Sequence, residues 1–246
     1  MRRMFPLAVM IAGLALAGCA GTSPAPGSSA SPSSADSPPE WVQREAMWQS
    51  LAAGDAQPRS AQWLLTDPDR ASHLNGRETS YLRSLHSMGD VYVVVLQGHF
   101  RPQEDQGASA SSLYLVLGTH HSYLAHGSAS ASIDLAGLGR VHTYIPQLPV
   151  QAGVWGHTMA EGGPFPGGPS IVADANVAVW KGDDVAATGK PLMEVHSDAN
   201  GFFVLDLAPG VYTLKLADPD HGYPAPDTVT VEAGKPVAAG VYGVMR

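Results

Sequence analysis

The chain has 246 residues, and its 22 acidic side chains outnumber its 14 basic ones, which gives a formal net charge of −8. Nucleic-acid-binding surfaces need clustered lysine and arginine, which this sequence lacks, so the composition argues against a nucleic-acid partner. Charged residues make up only 15% of the chain, whereas glycine and proline number 27 and 20, a balance that favours β-structure with many turns. The single cysteine, Cys19, precedes the part expected to fold, which excludes disulfides and thiolate metal sites there.

The N-terminus has the pattern of a secretory signal peptide over residues 1–18. Arg2-Arg3 precedes an apolar run from Phe5 to Leu16, which is too short for a bilayer span of about 20 residues. The run ends in Leu16-Ala17-Gly18-Cys19, which resembles the bacterial lipobox. The resemblance implies cleavage between Gly18 and Cys19 and lipidation of Cys19, with acyl chains holding the mature protein to a membrane of the cell envelope. A plain signal peptide and twin-arginine export are the alternatives.

Residues 19–40 are expected to be the lipidated cysteine and a disordered tether. Gly21 to Pro39 holds seven serines, five prolines and one charged residue, Asp36. Such a segment cannot bury enough apolar surface to offset its ordering entropy. A flexible chain of this length has a root-mean-square reach of roughly 25 Å. Ala20 is not the acidic residue that would suggest inner-membrane retention, which favours the outer membrane or the cell surface.

A small α+β unit is expected over residues 41–149, with helices first and an antiparallel meander after them. Apolar residues at helical spacing mark the first helix, and runs of Val, Leu and Tyr mark the strands. The expected helices are Trp41–Ala53, a short helix or turn over Ser60–Leu65, and Arg77–Ser87. The expected strands are Asp90–Phe100, Ser112–Gly118 and His121–Ser128, with an ambiguous Ile133–Leu138 and a closing strand over Val141–Ile145.

Residues 150–246 are expected to form an antiparallel β-sandwich, so the whole chain is predicted to be mostly β. Turn signals recur about every ten residues with no helical pattern between them. Asn200-Gly201 is the strongest short hairpin signal, because both residues tolerate positive φ. The predicted strands are Val150–Met159, Ser170–Ala173, Asn176–Trp180, Leu192–Ser197, Phe202–Leu207, Val211–Ala217, Asp227–Glu232 and Pro236–Val244.

Part of this unit resembles a known module. The residues that carry the resemblance are His196-Ser197-Asp198-Ala199-Asn200-Gly201-Phe202-Phe203, Leu205 and Leu207-Ala208-Pro209-Gly210-Val211-Tyr212. They resemble the carboxypeptidase regulatory-like, transthyretin-related family, with Ser197 and Ala208 in place of the usual threonine and proline. The resemblance covers the chain from Ser170 to its end. It implies an immunoglobulin-like or transthyretin-like sandwich that is non-catalytic by itself and does not fix a function.

Two groups of residues are candidates for a site. Imidazoles on adjacent strands bind zinc or copper when they converge, and four histidines fall on predicted strands or their ends: His99, His120, His121 and His126. His157 and Met159 give a weaker hint of copper. The glycine- and proline-rich run 162–169 predicts an exposed loop with Phe165 near its tip, a candidate partner contact.

The sequence carries no zinc-peptidase helix motif, nucleophile elbow or phosphate loop. The expected function is therefore a non-enzymatic binding or structural role in the cell envelope, with no cofactor. The expected partners are the membrane, through the lipid anchor, and an envelope protein or glycan. The alternatives are a metal-binding protein that uses the histidines and an enzyme with a site in the N-terminal unit.

Overall fold

The structure is a computed structural model that describes residues 37–74, 89–101, 109–161, 170–183, 189–217 and 223–244. All of these belong to one compact unit, Pro32–Arg246. The signal peptide, Cys19, the expected helix Arg77–Ser87 and the loop with Phe165 lie outside the described residues. Among the described helices, none is long and apolar enough to cross a membrane.

The predicted mostly-β class is confirmed. The described helices are α1 (Glu40–Ala52) and the single-turn α2 (Pro68–Ala71). The strands of the first half are β1 (Ser60–Thr66), β2 (Val91–Phe100), β3 (Ala110–Gly118), β4 (Ser122–Ala129) and β5 (His142–Tyr144). The remaining strands are β6 (Gly153–Glu161), β7 (Ser170–Ile171), β8 (Asn176–Lys181), β9 (Met193–His196), β10 (Phe202–Leu205), β11 (Gly210–Leu216), β12 (Tyr223–Ala225), β13 (Asp227–Val231) and β14 (Pro236–Val244).

The strands form two sheets. The larger has the order β12-β14-β6-β7-β4-β3-β2-β1-β5, with β10 also paired to β6, and the smaller has the order β13-β11-β8-β9. The expected N-terminal and C-terminal units therefore share one sheet, joined where the short β7 pairs with both β4 and β6. The pairs are antiparallel except that β14 runs parallel to β6, with Val237 opposite Val154.

The C-terminal strands enclose a sandwich core between the two sheets. Its buried side chains include Val154, Val177, Phe203, Leu214 and Val241. A Cβ on Gly156 would overlap the ring of Phe203, so this glycine lets the aromatic ring cross the β6 backbone. Tight packing of this kind is what an apolar period-2 pattern on both inner faces produces.

The turn at Asn200-Gly201 is present, but the hairpin predicted there is wrong. Gly201 has a φ of +76°, as the sequence predicted for a turn glycine. However, β9 belongs to the smaller sheet and β10 to the larger, so the turn carries the chain from one layer to the other. The Asp198 carboxylate fixes this crossing by accepting hydrogen bonds from the Asn200 and Phe202 backbone N–H groups, at 2.9 and 3.0 Å.

Two assignments in the first half differ from expectation. Ser60–Leu65 is not a helix or turn: it lies in β1, which pairs with β2 over seven residues. The ambiguous Ile133–Leu138 forms no strand, and its buried Ile133 and Leu135 instead cover the face of the sheet that carries Val93 and Val95.

Helix α1 packs on both halves of the large sheet. Val42 and Ala46 belong to a cluster with residues of β2 and β3, such as Leu96 and Leu115. Met47, Trp48 and Leu51 belong to another cluster, with Trp155 and Met159 of β6 and Phe202 of β10. The helix therefore connects the two cores.

Candidate functional site

A cleft of about 1490 Å³ is bordered by α1, the β3–β4 pair and the β13–β14 pair. Its aromatic lining consists of Trp48, Tyr114, Tyr123, His126 and Tyr242. Polar groups come from Gln49, the segment Gly127–Ala131 and the threonines of β13. Asp227 is the only carboxylate among the described lining residues, and no lysine or arginine lies among them. The lining therefore offers aromatic faces and neutral hydrogen-bonding groups.

Two glycines hold tyrosine rings in this lining. Tyr114 and Gly127 are directly paired across β3 and β4, and a Cβ on Gly127 would lie 2.5 Å from the Tyr114 hydroxyl oxygen. Gly240 likewise leaves room for the Tyr242 ring, since a Cβ on Gly240 would lie 2.7 Å from a carbon of that ring. Since real Cβ atoms do not approach other atoms so closely, both positions need glycine for the rings to keep these places.

Tyr123 gives the cleft an unsatisfied polar group. Its hydroxyl is buried and has no hydrogen-bond partner among the described residues. Burial raises its pKa far above the usual range, and the nearby Glu45, Tyr242 and Tyr114 raise it further. The hydroxyl therefore stays protonated. A buried polar group without a partner is costly unless something satisfies it.

Two buried titratable side chains, Glu45 of α1 and His157 of β6, lie next to each other. Glu45 is 2% exposed and His157 is 1% exposed, and the Glu45 Oε2 lies 3.4 Å from the His157 Nδ1. The Gln49 side chain, which also lines the cleft, donates to the other Glu45 oxygen at 3.1 Å. Burial lowers the pKa of His157, while the Glu45 carboxylate and the Asn200 backbone oppose that shift.

Aromatic rings enclose the histidine. Phe202 stacks on the imidazole with ring centroids 4.3 Å apart, and Trp48 meets it edge-on at 5.4 Å. The Trp48 indole N–H donates to the Trp155 carbonyl oxygen at 3.2 Å, which fixes α1 against β6. Because the Glu45 and His157 side chains are almost fully buried, the pair cannot exchange protons directly with a molecule in the cleft. Its structural effect is to hold α1 and Gln49 in place.

Arg44 of α1 packs against Phe202, the ring that stacks on His157. Its guanidinium lies over the Phe202 ring, 4.4 Å from the centroid, and pairs with the Asp198 carboxylate at 2.5 Å. Burial raises the pKa of Asp198, but the backbone N–H groups of Phe202 and Asn200 and the Arg44 pair outweigh burial and hold that pKa below its usual range. The crossing turn is thereby tied to α1 through a charged contact.

The structure does not bring the four predicted histidines together. His120 and His121 lie in the β3–β4 turn, at the end of β2 where Val91 pairs with Gly118. His99 lies eight residues along β2 from Val91, which at the rise of a strand is roughly 25 Å. His126 lies on β4 in the cleft lining, tilted against Tyr123 at 5.5 Å. Over the described ranges, no group of three His, Cys, Asp or Glu side chains could hold a metal ion.

The other predicted site residues divide between the described and undescribed parts of the chain. Met159 lines the cleft, whereas His157, two residues earlier, pairs with Glu45. Gly18, Cys19 and Phe165 lie outside the described residues. Sequence reasoning missed Glu45, Tyr114, Tyr123 and Tyr242. Only Glu45 could have been noticed in the sequence, because it is an acidic residue among the apolar positions that repeat at helical spacing in α1.

Comparison of the chain with models of known protein families and with curated proteins gives no match.

Proposed function

We propose that this chain is a lipid-anchored protein of the bacterial cell envelope that binds a neutral glycan in the cleft and does no chemistry on it. The lipobox resemblance and the Ser/Pro tether support the anchoring. The C-terminal resemblance to the carboxypeptidase regulatory-like family supports a non-catalytic scaffold. The observation that carries the binding role is the cleft itself, with its tyrosine and tryptophan lining.

The chemistry of the lining favours a sugar over a charged ligand. Aromatic faces pack against the apolar C–H faces of a pyranose, and hydroxyl and amide groups bind its oxygens. No cationic side chain lies among the described lining residues, so a phosphate or carboxylate ligand would meet no counter-charge. The volume of about 1490 Å³ exceeds the roughly 300–1000 Å³ typical of small-ligand pockets, which fits an oligomer.

The proposal is tested by titrating the protein with soluble oligomers of N-acetylglucosamine while tryptophan emission and heat are recorded. Trp48 lines the cleft and should report occupancy. Tyr114 lines the cleft and is half-buried. Tyr114→Phe removes only its hydroxyl, and the loss of one neutral hydrogen bond to the ligand should weaken binding by about 3- to 10-fold. The matched control is Tyr212→Phe, because the Tyr212 hydroxyl bonds the Ala208 carbonyl in the sandwich.

Equal affinity in wild type and Tyr114→Phe, or the absence of binding by any neutral oligomer, would refute the cleft as a glycan site. The anchor is tested separately by metabolic labelling with a fatty acid, which should label the wild type and fail to label Cys19→Ser.

A further inference from the structure

A second cluster of aromatic residues lies on the surface, and none of its members lines the cleft. Its members are Trp41, Trp63, Leu65, Tyr92, His121 and His142, called here the aromatic patch. Trp63 stacks on His142 at 4.8 Å, and its ring centroid is 6.2 Å from that of Tyr92. Tyr92 meets Trp41 edge-on at 5.8 Å, and Trp41 stacks on His121 at 4.3 Å. The rings form one continuous row.

The β-register explains the row. Trp63 on β1 is paired with His142 on β5, and Tyr92 on β2 is paired with Leu65, two residues along from Trp63. Trp41, in the first turn of α1, and His121, in the β3–β4 turn, extend the row beyond the strands. Paired residues in a sheet present their side chains on the same face, so these side chains form a single surface.

This surface is partly open to solvent. Leu65 is 45% exposed, His121 is exposed, and Trp41, Trp63, Tyr92 and His142 are half-buried. Single exposed apolar residues are ordinary on a protein surface, but a contiguous group marks an interaction surface. Tryptophan and tyrosine are enriched where one end of the ring is apolar and the other is wet, as at the boundary between lipid and water.

The position of the patch points to a bilayer as its partner. Trp41 lies four residues after Ser37, the first described residue, and the proposed tether ends at residue 40. The patch is thus at the place where the anchor would enter the fold. A tether of this length has a root-mean-square reach of roughly 25 Å and supplies a high effective concentration of the fold near the lipid, so weak affinity is enough.

We infer that the aromatic patch rests on the headgroup layer of the membrane that holds the lipid anchor. The inference depends on the lipid anchoring proposed above. No aspartate, glutamate, lysine or arginine belongs to the patch, and the chain as a whole is acidic. The contact is therefore made through aromatic and apolar groups and needs no anionic lipid.

The test uses the full lipidated protein in phosphatidylcholine vesicles, with and without brominated acyl chains, which quench tryptophan emission on contact. The patch holds two of the five tryptophans of the chain. We expect quenching in the wild type, loss of most of it in Trp41→Phe/Trp63→Phe, and retention in Trp180→Phe. Trp180 is the matched control, because it lies on β8 in the smaller sheet and is also half-buried. Leu65→Gln, at an exposed position, should reduce quenching without removing a fluorophore.

The outcomes distinguish failure of the patch–membrane contact from failure of the lipid anchor. Protein that floats with the vesicles and shows equal emission with plain and brominated lipid would overturn the patch contact and leave the anchor standing. Protein that does not float at all would overturn the anchor and the inference together. Emission of Trp41 and Trp63 that responds to soluble N-acetylglucosamine oligomers but not to bilayers would make the patch a glycan platform and overturn the membrane contact.

Discussion

The buried pair of Glu45 and His157 gives the sharpest prediction, a double-mutant cycle between His157→Phe and Glu45→Leu. His157→Phe keeps a ring against Phe202 but leaves the Glu45 carboxylate, 2% exposed, with only the Gln49 amide as partner. A buried carboxylate left without its neighbouring imidazole stays desolvated, which should cost about 3 kcal/mol. Glu45→Leu takes the carboxylate away from a neutral, buried imidazole and should cost about 1–3 kcal/mol.

The double variant should recover most of that loss. It replaces both polar groups with apolar ones of similar size, a change that is often neutral or stabilising by about 1–4 kcal/mol. For a chain of this size each kcal/mol shifts the melting temperature by about 2–4 °C. Thermal unfolding followed by circular dichroism should therefore show His157→Phe melting roughly 10 °C below the wild type, and the double variant close to the wild type.

Additive costs would refute this reasoning. If the double variant loses as much stability as the two single variants together, the side chains do not interact energetically and their proximity has no consequence for stability. A control for simple overpacking is His157→Leu, which also removes the imidazole and should be rescued by Glu45→Leu in the same way.

Three further predictions concern pH and backbone contacts. Burial lowers the pKa of His157, so below about pH 6.5 the unfolded chain binds a proton that the folded chain does not. The free energy of unfolding, measured by urea titrations, should therefore fall as the pH drops from about 7.5 to about 5. It should fall less in His157→Phe. Gly127→Ala should cost about 1–3 kcal/mol by forcing the Tyr114 ring aside, and much less in a Tyr114→Leu background. Asp198→Ala removes the acceptor of two backbone N–H groups and the partner of Arg44. Its urea midpoint should therefore fall further than that of Asp198→Asn, which keeps one acceptor oxygen. Equal midpoints would contradict the role of Asp198 in fixing the turn.

The strands that the sequence predicted well are those whose apolar residues alternate or run continuously between turn residues. Strand β14 matches its predicted range, and β2 differs by one residue. Strand β1 was missed because Trp63, Leu64 and Leu65 are apolar in succession, with buried Leu64 on one face and half-buried Trp63 on the other. Its identity comes from pairing with β2, a long-range contact that no local pattern carries.

The parallel pairing of β14 with β6 could not be predicted for a related reason. Turn signals predict hairpins, which join strands that are neighbours in sequence, whereas β6 and β14 come from distant parts of the chain.

The cleft could not be predicted from local sequence either. Its tyrosines lie on β3, β4 and β14, and only the tertiary fold brings Tyr114, Tyr123 and Tyr242 near one another and near Glu45.

Helix α1 shows why the site depends on packing more than on local sequence. It has 13 residues, begins after Pro39 with no side-chain cap, and has no basic residue in its last turn. An isolated helix of about this length is marginal in water, so α1 is held by what it buries. The same helix supplies Gln49 and Trp48 to the cleft, Glu45 to the buried pair and Trp41 to the aromatic patch. A substitution that loosens α1 from β6, such as His157→Phe, should therefore also weaken ligand binding in the cleft, although His157 does not line it.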